Sequence, residues 1–219
     1  MLGITMRVMR HAYPGGDVEE RDALARDWPR FLARVFPRDH LLYLPNIGSD
    51  ITNFAALPGV DGLLFSGGED WGLVPSRDAT EAALFAWARE TGLPVFGVCR
   101  GAQVINRLMG GRPTACEGHV AVRHGIELTV PVAESRAHEV NSFHTQAIRP
   151  GGLAPGLTAF AVAPDGTVEG FIGGEGRIIG VMWHPEREKD PAPLDMTLLR
   201  AWLTAGAGAL LRIGDNDHE

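Results

Sequence analysis

Residues 94–111, PVFGVCRGAQVINRLMGG, decide how this chain is read. An apolar, β-favouring run over 94–98 stops at Cys99, and a helical pattern follows at once. Val104, Ile105, Leu108 and Met109 form one stripe of that helix, and Gly110-Gly111 ends it. Strand, sharp turn and helix make a nucleophile elbow, and Gly97-Val98-Cys99-Arg100-Gly101 is its G-x-nucleophile-x-G form. The glycines allow the tight bend, and the thiol falls at a helix N-terminus, where aligned peptide dipoles favour a thiolate. By itself the pentapeptide fits equally well a buried cysteine closing a core strand.

Working outward, the order is βα repeated. Residues 77–91 form a helix with Ser76 as N-cap, and Gly92 and Pro94 end it before the elbow strand. Residues 60–65 (VDGLLF) read as a buried strand running into Ser66-Gly67-Gly68-Glu69-Asp70. Upstream lie a helical turn at 52–57, a strand at 41–44, a helix over 19–36 kinked or restarted at Pro29, and a first strand at 2–9. Downstream the texture changes to short strands at 125–132, 139–143, 157–163, 168–172 and 177–183, separated by Gly, Pro and Asp turns. A closing helix at 194–211, loosened by Gly206 and Gly208, precedes a polar, frayed tail at 214–219 that carries Asp215, Asp217 and Glu219. This pattern implies a parallel sheet covered by helices on both faces, extended by antiparallel strands, in one domain spanning 1–213.

The 219 residues carry a formal net charge of -7, with 45% hydrophobic and 21% charged residues, a soluble globular balance. No Lys/Arg block resembles a phosphate-tracking stripe, so no nucleic-acid partner is expected. No apolar run reaches membrane-span length, and residues 1–10 lack the core of a signal peptide. Cys99 and Cys116 are therefore expected to be free thiols in the cytoplasm.

A thiolate attacking a carbonyl needs a base, a group orienting that base, and N–H donors for the developing oxyanion. His184 directly follows the 177–183 strand, and Glu186 lies two residues beyond across Pro185. If that strand runs parallel to 94–98, His184 and Cys99 emerge at the same carboxyl edge, where α/β ligands bind. Gly68 or its neighbour Gly67, with the Arg100 amide, supplies an oxyanion hole. Taken singly, His-Pro-Glu reads as a solvated turn and Ser-Gly-Gly as an ordinary βα turn. Cys116, Glu117, His119 and His124 match no standard zinc spacing, so neither metal nor cofactor is expected.

Together these pieces resemble class I glutamine amidotransferases, in the γ-glutamyl hydrolase branch that includes γ-glutamyl-γ-aminobutyrate hydrolase. The resemblance rests on ordered blocks between about residues 60 and 190: FSGGED, RDATE, GVCRGAQVINRLMGG, VNSFHTQ and GVMWHPE. It implies a flavodoxin-like three-layer sandwich with a mixed, mainly parallel sheet and an added antiparallel region. It also implies a triad of Cys99, His184 and Glu186, which cleaves a γ-glutamyl amide through a thioester. Gln103 would help hold the glutamyl group, with Gly67 close by, and backbone atoms of Phe143, His144, Thr145 and Gln146 would contact its α-groups. Arg77, Asp78, Glu81 and Asn106 match positions read as scaffold. Thr145 stands where this branch often carries a second histidine, which points to a different leaving-group side. The stretch EERDALARDWPRFLARV with LPN is similar to a subgroup containing γ-glutamyl-CDP-amidate hydrolases. The expected substrate is a small γ-glutamyl compound. Alternatives are a glutaminase subunit serving a separate synthetase partner and a non-catalytic binding protein on the same fold.

Overall fold

The computed structural model describes residues 1–56, 59–130 and 132–204. The first half contains β1 (Leu2–Thr5), β2 (Arg7–Ala12), β3 (Val18–Ala23), α1 (Asp27–Val35), β4 (Leu41–Leu44), α2 (Ile51–Ala55), β5 (Gly62–Phe65), α3 (Pro75–Thr91), β6 (Val95–Val98) and α4 (Arg100–Leu108). The second half contains β7 (Thr114–Ala115), β8 (Val120–Leu128), β9 (Ala137–Phe143), β10 (Gln146–Ala147), β11 (Leu157–Val162), β12 (Val168–Gly173), β13 (Ile178–Val181) and α5 (Pro193–Thr204). The tail and the end of the closing helix, with Gly206 and Gly208, lie outside the described residues, as do Leu57 and Pro131.

A nine-stranded sheet runs in the order β4-β1-β5-β6-β13-β12-β11-β8-β9. The first five strands are mutually parallel and the rest continue antiparallel, the mixed architecture implied by the sequence. Alternation along the strands divides the core. Leu2, Ile4, Leu64, Phe96 and Ile179 face α1 and α5, packing with Trp28, Phe31, Leu198 and Trp202. Leu63, Phe65, Val95 and Ile178 face the other way, against Leu84 and Phe85 of α3 and Ala102 and Ile105 of α4. These are the three layers of a flavodoxin-like sandwich.

The amino-terminal third departs from expectation. Strand β1 stops at Thr5, and β2 and β3 form a separate antiparallel hairpin around Gly15-Gly16. Residues 19–23 are therefore strand, and the helix begins only at Asp27. The hairpin is held by pairs such as Arg10–Glu20 at 3.3 Å, and its β3 strand is almost wholly exposed. Such a strand carries no apolar period to separate it from the helix that follows. Pro29 sits in the first turn of α1, where its missing N–H has no intrahelical partner to lose, so no kink results. Helix α3 starts at Pro75 with Val74 at its N-cap; Ser76 lies inside the helix. Gly92, at φ 72°, closes α3 as expected.

Candidate active site at the carboxyl edge

The parallel register places the candidate residues. Val98 pairs with Val181 and Phe65 with Gly97, so Cys99, His184 and Ser66-Gly67-Gly68 leave the same edge of three adjacent strands. Cys99 adopts φ 52° and ψ -107°, a strained backbone that points its side chain out of the turn. The bend requires both flanking glycines. A Cβ on Gly97 would come 2.6 Å from the Gly101 carbonyl carbon, and one on Gly101 would come 2.1 Å from Phe65 O. Here, sequence dictates local structure: the glycines let α4 lie directly against β5 and β6.

His184 Nδ1 lies 2.7 Å from Glu186 Oε1, both groups being buried. Pro185 opens the short 3₁₀ turn Pro185–Arg187 that returns the carboxylate to the ring. Burial alone would lower the His184 pKa. The hydrogen bonds and charges of Cys99 and Glu186 outweigh it and raise the group from 6.5 to about 9. The imidazole is thus bonded to the carboxylate and shares one pocket with the thiol. Cys99, His184, Glu186, Gly67 and Gly68 line one pocket of about 210 Å³, with Phe143 and Arg187 at its side. Gly67 is pressed against the ring: a Cβ there would meet His184 Cε1 at 2.8 Å.

A buried ionic network sets the glycine loop. Arg77 Nη2 donates to Ser66 O at 2.8 Å and to Gly67 O at 3.1 Å, while its Nε reaches Glu81 at 3.1 Å. Arg100 reaches Asp78 at 2.6 Å and also pairs with Glu81. Burial opposes ionisation of Glu81, but Arg77 and Arg100 hold its pKa below the usual carboxylate range. In a trans peptide the C=O and the following N–H point in opposite directions. With Gly67 O held by Arg77, the Gly68 N–H therefore points away from the guanidinium. Arg100 is the first residue of α4, where an N–H has no intrahelical partner.

The other candidates divide. Phe143 stands edge-on to His184 at 5.8 Å, with the Arg187 guanidinium 4.1 Å above its ring. Gln103 and Gln146 line a separate cavity of about 290 Å³, joined by Gln103 Nε2 donating to Gln146 O at 2.9 Å. Thr145 is exposed, and the His144 side chain is buried beside Cys116, His119 and Glu169, away from the thiol pocket. Asn106 ties α4 to Gly152 O and to the Ala154 N–H, a scaffold role. One positioning residue went unassigned in the sequence. Asn141 accepts from the His184 N–H at 2.9 Å and donates to His184 O at 2.8 Å, clamping the backbone of the imidazole. Its signal was a polar side chain two residues before Phe143, on the same face of a strand.

A family model described as glutamine amidotransferase class-I matches residues 44–204. The chain belongs to the class I glutamine amidotransferases. The chain is 32% identical over 195 residues to protein NtpR of Enterococcus hirae, covering 71% of this chain and 79% of that one. It is 28% identical over 210 residues to the γ-glutamyl-CDP-amidate hydrolase of Campylobacter jejuni, covering 93% and 97%. It is also 27% identical over 202 residues to the γ-glutamyl-γ-aminobutyrate hydrolase of Escherichia coli K12, covering 81% and 76%. A glutamine amidotransferase from Thermotoga maritima shares its fold, with TM-score 0.62 at 13% identity over 92% of this chain and 91% of that one. The family is one of enzymes, with proteins named as γ-glutamyl hydrolases among the relatives of this chain. Among its described residues, no helix is long and apolar enough to cross a membrane.

Proposed function

We propose that this chain hydrolyses a γ-glutamyl amide by itself, with Cys99 as nucleophile, His184 as acid–base and Glu186 as the carboxylate orienting it. The observation that carries this reading is the His184 ring, bonded to Glu186 at 2.7 Å and lining one pocket with the thiol of a strained elbow. Cys99 Sγ attacks the γ-carbonyl carbon, and the thiol proton resides on His184. The C–N bond then breaks, the leaving amine takes that proton, and a glutamyl thioester remains. Water gives a proton to His184 as it attacks the thioester. Glutamate departs and Sγ recovers the proton. The Gly68 and Arg100 amides receive the oxyanion in both halves. Gln103 and the backbone of residues 143–146 hold the glutamyl end. The two free thiols suit a reducing cytoplasm.

A second reading of the leaving group has its own observation. Arg30, Arg34, Arg187 and Lys189 line a cavity of about 240 Å³ alongside Asp27, Glu186 and Glu188, sharing Glu186 and Arg187 with the thiol pocket. A phosphate-bearing amine, as in the substrate named for the Campylobacter jejuni relative, would meet these cations.

Purified protein assayed alone against γ-glutamyl amines, glutamine and a nucleotide-linked γ-glutamyl amidate tests both readings. Glutamate release in the absence of any synthetase is expected, and its loss in Cys99→Ala. Activity surviving in Cys99→Ala refutes the mechanism. Turnover appearing only with an added synthetase makes the chain a glutaminase subunit.

A further inference from the structure

Away from the thiol pocket, β8, β9, β12 and the segments beside them bury a cluster absent from the proposed reaction. Glu169 of β12 is fully buried, and its Oε2 has no hydrogen-bond partner. Thr167 Oγ1 lies 3.3 Å from Oε1, but its hydrogen goes to Asp165 at 2.7 Å. Three imidazoles surround this carboxylate. His119 Nδ1 and His144 Nε2 each lie 3.6 Å from Oε1, and His124 Nε2 lies 3.8 Å from Oε2. The His124 and His144 Nε2 atoms are buried and unpartnered.

We infer that His119, His144 and Glu169 form a site for a divalent transition ion of the zinc class, with His124 as the available fourth ligand. Ligand atoms of His119, His144 and Glu169 lie within 4.8 Å of one another. A histidine sharing a proton with a carboxylate closes to hydrogen-bond distance, as His184 and Glu186 do at 2.7 Å. Around a tetrahedral zinc with bonds of about 2.0–2.1 Å, donor atoms instead stand roughly 3.4 Å apart. The 3.6 Å from Glu169 Oε1 to each of His119 and His144 is close to the second arrangement, and the widest donor separation, up to 4.8 Å, would close as the ion binds.

The remaining nitrogens fit. His119 Nε2 lies 3.2 Å from Asp165 Oδ2, the carboxylate–histidine pairing that orients a metal ligand. Ser142 Oγ stands 3.4 Å from His119 Nδ1, with its own hydrogen directed to His119 O. His124 Nδ1 is 3.1 Å from Gly125 O, which leaves Nε2 as the lone-pair atom. His144 Nδ1 faces Cys116 Sγ at 3.7 Å. The carboxylates of Glu169 and Asp165 would balance a dication, and the cation would satisfy the buried Glu169 Oε2 that lacks a hydrogen-bond partner. The order of residues concealed this set: a search by spacing groups Cys116, Glu117, His119 and His124, whereas strand pairing brings in His144 and Glu169. The ion would pin the segment between Phe143 and Gln146 to the sheet.

Chelator-treated wild-type protein and Cys99→Ala, which removes the thiol of the other pocket, are titrated with cobalt(II) and then zinc(II). Both should take up one equivalent, with the visible absorption of four-coordinate cobalt and a raised Tm. The exposed His40→Ala should match wild type. His119→Ala and Glu169→Gln should lose the site, and Asp165→Asn should weaken it about 10–100-fold. Absence of the cobalt spectrum in wild type, or its persistence in both His119→Ala and Glu169→Gln, overturns the proposal. Circular dichroism checks that the variants fold. A null titration would leave the cluster as a proton-sharing histidine–carboxylate network.

Discussion

Around His184 the tolerances are set by single atoms. Gly67 has no room for a methyl group, because its Cβ would stand 2.8 Å from His184 Cε1. In Gly67→Ala the ring must move, because the loop backbone is held by Arg77 through the Ser66 and Gly67 carbonyls. A catalytic group displaced by about 1 Å can lose roughly a hundredfold in rate. A fall of that order in kcat, with Tm shifted by only a few degrees, is the expected result of parallel kinetics and melting. The His184 proton gives a second prediction. With its pKa raised to about 9 by Cys99 and Glu186 against burial, the imidazolium persists through neutral pH. kcat/KM should therefore decline as pH rises through about 9, and Glu186→Gln should move that limb to lower pH. Glu186→Gln should also cost less rate than Cys99→Ala, since an orienting group contributes less than the nucleophile.

At the scale of elements, the question is how helix α3 reaches the active-site edge. Arg77 spans from Glu81 on its own helix to the carbonyls of Ser66 and Gly67 beyond β5. It thereby fixes the peptide whose N–H is proposed for the oxyanion. Arg77→Met leaves Glu81 with one cation, Arg100, and strands part of a buried carboxylate, a loss of about 3–5 kcal/mol. Arg77→Lys retains the charge but lacks the planar fork, so it cannot hold Glu81 and both carbonyls together. Urea unfolding should find Arg77→Lys more stable than Arg77→Met, with kcat nonetheless well below wild type and KM little changed. That split separates positioning from simple scaffolding. The RDATE block reads in the sequence as scaffold, but only the fold reveals that Arg77 and Glu81 are fully buried and that Arg77 reaches the Ser66 and Gly67 carbonyls. The thiol, imidazole and carboxylate were legible because strand endings in a parallel sheet determine where the next residue emerges. Hairpin β2–β3 was hidden for the opposite reason: its exposed, alternating charges carry no trace of a core.

Across the whole molecule, titrating groups combine into one stability profile. His184 is raised from 6.5 to about 9, so its contribution is complete below 6.5 and lost as pH climbs through 9. That interval corresponds to about 3 kcal/mol at 1.36 kcal/mol per unit. Asp195 acts in the same direction at lower pH. Burial raises it from 3.8 to about 6 despite the Trp183 hydrogen bond, and the charges of Glu188 and Glu186 add to the shift. Its contribution is complete below 3.8 and lost as pH rises through about 6. Asp165 runs the other way: burial opposes it, but hydrogen bonds from Thr167 and His119 lower it from 3.8 to about 2, so stability falls as pH drops through that range. These groups come from the β11–β12 connection, the segment after β13 and helix α5. The curve should therefore peak on the acid side of neutrality, descending through pH 6 and again towards pH 9. Asp195→Asn preserves an acceptor for Trp183 and removes the titration. In urea unfolding from pH 4 to 9.5 it should flatten the descent that ends near pH 6 and leave the His184 limb in place. An unchanged profile would mean that Asp195 is ionised in its buried pocket and contributes nothing to the slope.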